Sequence, residues 1–528
     1  MKKLVPLTLL ASLILFACNE KKEEKKISKR DYSITHKNAY NDLFLDSMVV
    51  VKYITDNAIA DSISRRIISF YNTRNYEYAW FSSKGLSEQA MGFFSVLTYS
   101  DDTSGVVKKL RTTLDALIAA DDVSITENNE KIKKVEMQLT ERLIRYTRSN
   151  FEKGYVKRKE MERFIPFKKQ DPIELADSLL TKKHKDDKYF SDINKPYKLL
   201  KEQLQKFVDL VKKKQWVNID QSIAKLKPGD SSQAIVALKN NLFLLGDLAA
   251  QDTTQLYNAA LIDGIKRFQQ RFGFTPDGKI TADLLEHINV SPLDRVKQLL
   301  INMNRMRWLP VQPEGSLIVV NTPAFTLTVS ENDKHIFSMP VVVGKEGHHT
   351  TLFSDRLTTI VFSPYWNVPP SIIKKEILPS MEKDEAYLER NNMEITGEEN
   401  GLPVVRQLPG PKNSLGKVKF LFPNSFNIYF HDTPAKSLFN EDVRAFSHGC
   451  IRLSDPAKMA EYLLKDTKWT QDKILQAMNS GEEKYVKLEE PVPVFITYYT
   501  AWVDENGVLN FRDDIYGHDA QVVKKMFL

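Results

Sequence analysis

The spacing of apolar residues divides the chain into four stretches. A short apolar run, Leu4 to Phe16, follows Lys2-Lys3. It is shorter than the roughly 20 residues a membrane-spanning helix needs. From Asn19 to Arg30 lysine and glutamate replace nearly every apolar position, which predicts a disordered tether over 19–30. Between Asp31 and Gln221 the period becomes helical. Ile63, Ile67, Ile68, Phe70 and Tyr71 fit one face, and Leu139, Leu143, Ile144 and Tyr146 fit another. The cluster Tyr71, Tyr76, Tyr78, Trp80 and Phe81 is expected to pack a core. We take 31–221 as one helical domain.

A second helical unit runs over 227–290. Ile235, Leu238, Leu242 and Leu245 form a stripe that stops at Gly246, and Leu261, Ile265, Phe268 and Phe272 form another. Thr281 is placed to cap a third helix. Residues 291–313 read as a helix linking this unit to the next, with Leu293, Val296, Leu299, Leu300 and Met303 on one side.

From Leu317 the pattern changes to short β-prone runs: 317–320, 325–329, 339–343, 360–362, 426–430 and 494–499. Their spacing predicts an antiparallel sandwich over 314–500. Residues 371–417 interrupt it with a helical stretch and a polar loop, and 501–528 read as a peripheral tail. The fold class is therefore multidomain α+β.

Composition changes this picture little. The 528 residues are 42% hydrophobic and 27% charged, which suits several folded domains. A formal charge of +7 is mild for this length, and its lysine runs read as solvated faces, so no nucleic-acid partner is expected. No zinc-site spacing, P-loop or dinucleotide fingerprint occurs, and His348-His349 has no ligand cluster beside it. We expect no metal and no organic cofactor.

Only two cysteines occur, Cys18 and Cys450. Cys450 sits in Phe446-Ser447-His448-Gly449-Cys450-Ile451-Arg452-Leu453. An isolated cysteine is most often buried and inert. These neighbours are polar and charged, and an imidazole and a guanidinium can depress a thiol pKa, so we read a nucleophile. A thiol nucleophile needs a base. His448 stands two residues before it, and His431 ends the β-prone run 426–430 ahead of the turn Asp432-Thr433-Pro434.

Tyr429-x-His431-Asp432-Thr433-Pro434 followed by Ser447-His448-Gly449-Cys450-Ile451-Arg452 resembles the active site of L,D-transpeptidases. The resemblance implies that Cys450 is the nucleophile, His431 the proton acceptor and donor, and the main chain at Asp432 the group orienting it. It implies an oxyanion wall at His448 and Gly449, and substrate contacts from Ser447, Tyr429 and Arg452. Arg452 could equally serve a structural ion pair. Trp366 and Asn367, in Tyr365-Trp366-Asn367-Val368-Pro369-Pro370, match a segment near the family's cleft, though core packing accounts for Trp366 as well. The implied chemistry is acyl transfer between peptidoglycan stem peptides, with a tetrapeptide donor and an amine acceptor. Resolution of the same thioester by water would make an L,D-carboxypeptidase, and a vestigial cleft would leave a wall-anchoring lipoprotein.

The same family contains large members with a helical scaffold, which 31–221 resembles loosely, and a capping lobe, which 371–417 resembles and which we expect to fold over the cleft. Residues 227–290 resemble a small peptidoglycan-binding domain, a unit also used as a spacer. Leu15-Phe16-Ala17-Cys18 resembles a bacterial lipobox closing a signal peptide over 1–18. Lipidation at Cys18 would place the chain in the cell envelope, anchored to a membrane and facing the periplasm.

Overall fold

The computed structural model describes residues 27–99, 105–119, 125–151, 165–181, 195–309, 315–424 and 426–527. The signal segment, Cys18 and the tether up to residue 26 lie outside them. Residues 27–30, assigned to the tether, instead dock on the helical domain. Ser28 is buried with its N–H on Ser69 Oγ, and the Arg30 guanidinium lies 4.6 Å from the Tyr76 ring centre.

The helical domain contains α1 (Ser47–Asp56), α2 (Asp61–Thr73), α3 (Glu88–Tyr99), α4 (Gly105–Ala119), α5 (Glu130–Phe151), α6 (Pro172–Leu180) and α7 (Lys195–Lys213). The aromatic cluster packs its core, with Tyr71, Tyr78, Trp80 and Phe81 fully buried. One buried carboxylate, Glu136, accepts the N–H groups of Ala79 and Trp80 at 2.7 and 3.0 Å and the Tyr71 hydroxyl at 3.0 Å. Those bonds satisfy backbone that no ladder reaches.

The small unit is α8 (Gln233–Leu245), α9 (Ala259–Phe272) and α10 (Ala282–Asn289). Gly246 closes α8 at φ 92, a left-handed cap, and the Thr281 hydroxyl caps α10. The following helix, α11 (Pro292–Met306), is no mere linker. Its sides are buried nearly all round, against α6, α7 and the C-terminal residues. A methyl on Gly92 of α3 would stand 2.7 Å from the Trp308 side chain just past it.

The expected peripheral tail is a second correction. Ala501–Val503 pairs with Leu509–Phe511, and α12 (His518–Met526) follows. Phe511, Val522, Met526 and Phe527 belong to one core shared by the helical domain, the small unit and α11. These residues are dispersed along a polar segment, so their common partner is visible only in three dimensions.

The β region is also not an antiparallel sandwich. Its strands are β1 (Ser316–Asn321), β2 (Thr326–Glu331), β3 (Lys334–Gly344), β4 (Phe353–Phe362), β5 (Val418–Leu421), β6 (Phe430–His431), β7 (Ala445–Ser447), β8 (Ile451–Leu453) and β9 (Lys484–Thr497). They form one mixed sheet in the order β7-β3-β8-β6-β5-β4-β9-β1-β2, which closes through β2–β3 pairing. The pairs β6–β8, β3–β7 and β1–β9 are parallel. Closure leaves the short β7 as the strand with a single neighbour among the described residues, in place of two long open edges. Alternate residues such as Ile318, Val320, Phe430, Ile451, Leu453, Val494 and Ile496 fill the interior.

The interruption is a separate lobe. Trp366–Asn367, Met393–Glu399 and Leu402–Gln407 make a small sheet around Val368, Ile372, Ile373, Ile377 and Val405.

Candidate active site

Strand alternation assembles the site. Phe430 pairs with Ile451 and His431 with Arg452 in the parallel β6–β8 ladder. Phe430 and Ile451 fill the interior, so His431 and Arg452 share the outer face. Tyr429 and Cys450 immediately precede the two strands, two residues before His431 and Arg452, and so have the same parity. The Ile451 N–H donates to the Tyr429 carbonyl at 3.1 Å and fixes that register. The predicted strand 426–430 shrinks to its last residue plus His431, because Asn427 adopts φ 53 and turns the chain.

His431 is buried, and its Nδ1 lies 2.5 Å from the Asp432 carbonyl oxygen. A carbonyl only accepts, so Nδ1 carries the proton and Nε2 keeps the lone pair. The Asp432 side chain holds that carbonyl in place. Its Oδ2 accepts the Lys417 N–H at 2.9 Å and its Oδ1 accepts Lys436 Nζ at 2.7 Å. Gly416, at φ 60, leaves room for the carboxylate, which any Cβ there would overlap.

The loop before Cys450 is tied by Ser447. This buried hydroxyl donates to the Cys450 carbonyl at 2.6 Å and accepts the Gly449 N–H at 3.1 Å. Ser447 is thus engaged by the loop. The Gly449 N–H is spent on it, whereas the Cys450 N–H has no hydrogen-bond partner among the described residues. Of the Gly449 and Cys450 N–H groups, only that of Cys450 is open among the described residues.

Burial sets the protonation states. It pushes the half-buried Cys450 thiol up, against the Tyr429 contacts and the Arg452 charge, which pull it down. The sequence-based expectation of a depressed thiol pKa is therefore reversed, because desolvation outweighs the neighbouring cation. Burial, then Arg452, brings His431 down to about 3. Thiol and imidazole are both neutral at rest. Among the described residues the thiol donates to the Asn427 carbonyl at 3.5 Å and not to His431. The Tyr429 ring lies 5.8 Å from the His431 ring, and the thiol raises the Tyr429 phenol further above its ordinary range after burial.

Arg452 forms no ion pair among the described residues, and its buried Nε has no hydrogen-bond partner. His448 is exposed. Its Nε2 stands 3.2 Å from Glu376 Oε1 of the lobe, and its ring lies 4.9 Å from His348. Trp366 packs against the lobe's own core, and Asn367 is exposed beside it on the same strand. Among the described residues no hydrogen bond or ring contact links either of them to the thiol. The sequence signals missed Asn427 and Thr350, which reach Cys450 and Gly449 through backbone or hydroxyl bonds that no motif spells out.

Residues 315–474 match the family model of the YkuD-type L,D-transpeptidase catalytic domain. Residues 65–204 match a Scaffold domain, and 231–288 a peptidoglycan binding domain. These matches bear out the resemblance read from the motifs. A Haemophilus influenzae protein named "Putative L,D-transpeptidase" is 32% identical over 242 residues, 43% of this chain and 49% of that protein. The chain thus spans about half the length of that curated relative. Among solved structures, an L,D-transpeptidase from Mycobacterium smegmatis aligns at 18% identity over 34% of this chain and 58% of its own, with a TM-score of 0.20. One from Stackebrandtia nassauensis aligns at 16% identity over 52% and 95%, with a TM-score of 0.21.

Proposed function

We propose that this protein is a peptidoglycan L,D-transpeptidase that cross-links stem peptides through a Cys450 thioester. The observation that carries the reading is the outer face shared by Tyr429, His431, Cys450 and Arg452, with the His431 tautomer set by the Asp432 carbonyl. Its Nε2 lone pair makes His431 a base, and burial keeps that base neutral near pH 7.

In the first half-reaction Sγ bonds to the donor's acyl carbon while the thiol proton passes to His431. The Cys450 N–H meets the developing oxyanion. The tetrahedral intermediate collapses, the C–N bond to the terminal D-residue breaks, and His431 returns the proton to the departing amine. In the second half-reaction an acceptor amine attacks the thioester, loses a proton to His431 and releases the thiol. The Arg452 guanidinium, which forms no ion pair among the described residues, suits a substrate carboxylate. The lobe, joined to His448 through Glu376, would cover the cleft and keep water from the thioester. The proposal includes a lipid on Cys18, in keeping with a substrate that lies outside the cytoplasm; mass analysis of the purified envelope form tests it.

Intact mass after mixing the soluble chain with a carbapenem, and separately with tetrapeptide muropeptides, tests the function. A Cys450 adduct and dimeric muropeptides are expected, and both vanish in Cys450→Ala. Tripeptides without dimers would replace transfer by hydrolysis. No adduct on a folded sample would leave the wall-anchoring reading.

A further inference from the structure

Behind the cysteine loop lies a set of hydrogen bonds that begins in the C-terminal segment. The buried Tyr516 hydroxyl donates to the Gly344 carbonyl at 2.6 Å and accepts the Thr350 N–H at 3.4 Å. Tyr516 is itself held, its N–H on the Tyr498 hydroxyl at 2.9 Å and its ring stacked on His349 at 4.1 Å. The Thr350 hydroxyl works in both directions. It accepts the Gly344 N–H at 3.0 Å and donates to the Gly449 carbonyl at 2.8 Å. Thr350 is 2% exposed, so water does not compete for these bonds. Gly344 has no room for a side chain, because a Cβ would overlap the His348 carbonyl.

The Gly449 carbonyl and the Cys450 N–H belong to one planar trans peptide, so they point in opposite directions. Gly449 sits at φ 109, a region where glycine is free to rotate. Whatever anchors its carbonyl therefore aims the Cys450 N–H, the open donor. We infer that Thr350, braced by Tyr516, is a positioning residue that orients the Cys450 N–H as the oxyanion donor, so that the C-terminal segment is a working part of the catalytic unit. The inference rests on the acyl-transfer reading of Cys450, but it concerns any acyl donor.

The test compares two reactions of the Cys450 thiol in the full chain. Acylation by p-nitrophenyl acetate passes through an oxyanion: Sγ bonds to the acetyl carbon, p-nitrophenolate leaves, and the thiol proton is lost. Alkylation by iodoacetamide displaces iodide and forms no oxyanion. Losing an oxyanion donor costs roughly 10²–10³ in rate, and misaiming one should cost less. Thr350→Val should lower acylation roughly 10- to 100-fold and leave alkylation within about twofold. Thr350→Ser, which keeps the hydroxyl, should recover acylation to within about threefold. Tyr516→Phe, one step further back, should lower acylation by less than Thr350→Val. An acylation-to-alkylation ratio unchanged in Thr350→Val overturns the inference. So does a parallel fall in both rates, which would mark a merely structural role, and so does a wild-type thiol that alkylates without acylating. Muropeptide turnover is followed alongside. Its absence in the unsubstituted chain would remove the peptidoglycan reading, while a shifted ratio would still uphold the role of Thr350.

Discussion

Cys450, His431 and Arg452 form an electrostatic unit in which one cation acts on two neutral groups. Burial raises the thiol and lowers the imidazole; Arg452 lowers both, at the thiol after the Tyr429 hydrogen bonds. Arg452→Met should therefore move the pH midpoint of Cys450 alkylation upward and slow the reaction near pH 7, as read by iodoacetamide kinetics across pH. His431 also links pH to stability. Its folded value of about 3 lies below the ordinary 6.5, so protons bind the unfolded chain preferentially. The stability it contributes is fully present above about 6.5 and is lost as pH falls toward 3. His431→Gln should flatten that part of the curve, measured as the urea midpoint between pH 7 and pH 4. The motif named these residues, but their charge states depend on burial, which a linear pattern does not contain.

Among the elements, the lobe and the Glu136 network carry separate consequences. Glu376 lies on the π-helical turn Ile373–Ile377, whose wider winding is frequent at functional sites. Burial lowers the pKa of His448, so its 3.2 Å contact with Glu376 becomes a charged pair only below the ordinary imidazole range, and it guides closure more than it holds the lobe shut. Removal of the lobe should raise hydrolysis relative to transfer, measured as tripeptide against dimer; an unchanged partition would separate the lobe from water exclusion. In the helical domain, Glu136→Ala would strand the buried N–H groups of Ala79 and Trp80. The expected loss is on the order of 3 kcal/mol, read from the denaturant midpoint. The aromatic cluster was legible as core, whereas the carboxylate at its centre was not, because glutamate in an amphipathic helix reads as surface.

At the scale of the molecule the C-terminal segment joins everything. Arg305 of α11 pairs with Glu88 of α3 and with Asp519 of α12, and Arg271 of α9 donates to the Leu509 carbonyl at 2.6 Å. Thr275 of the small unit also meets Asp442 beside the cysteine loop at 2.9 Å. Asp519→Ala would leave the buried guanidinium one partner short. A loss of roughly 3 kcal/mol is expected, since breaking a buried pair on one side leaves uncompensated charge. The denaturant midpoint measures it, and an unchanged midpoint would show that Glu88 alone suffices. Such ties argue against treating residues 315–474 as a self-contained enzyme.

The sequence by itself determined the succession of helical, small helical and β units, the helix caps at Gly246 and Thr281, and the two-part motif that puts His431 and Cys450 forward as a candidate pair. These depend on local periodicity, cap preference and a two-part motif, all of which act over short spans of chain. Tertiary structure alone decided the closed mixed sheet, the burial of α11, the return of residues 501–527 to the core, and the bonds from Tyr516 and Thr350 to Gly449. Strand order and long-range hydrogen bonds join residues far apart in the chain, and no local preference encodes which distant partner a buried polar group will meet.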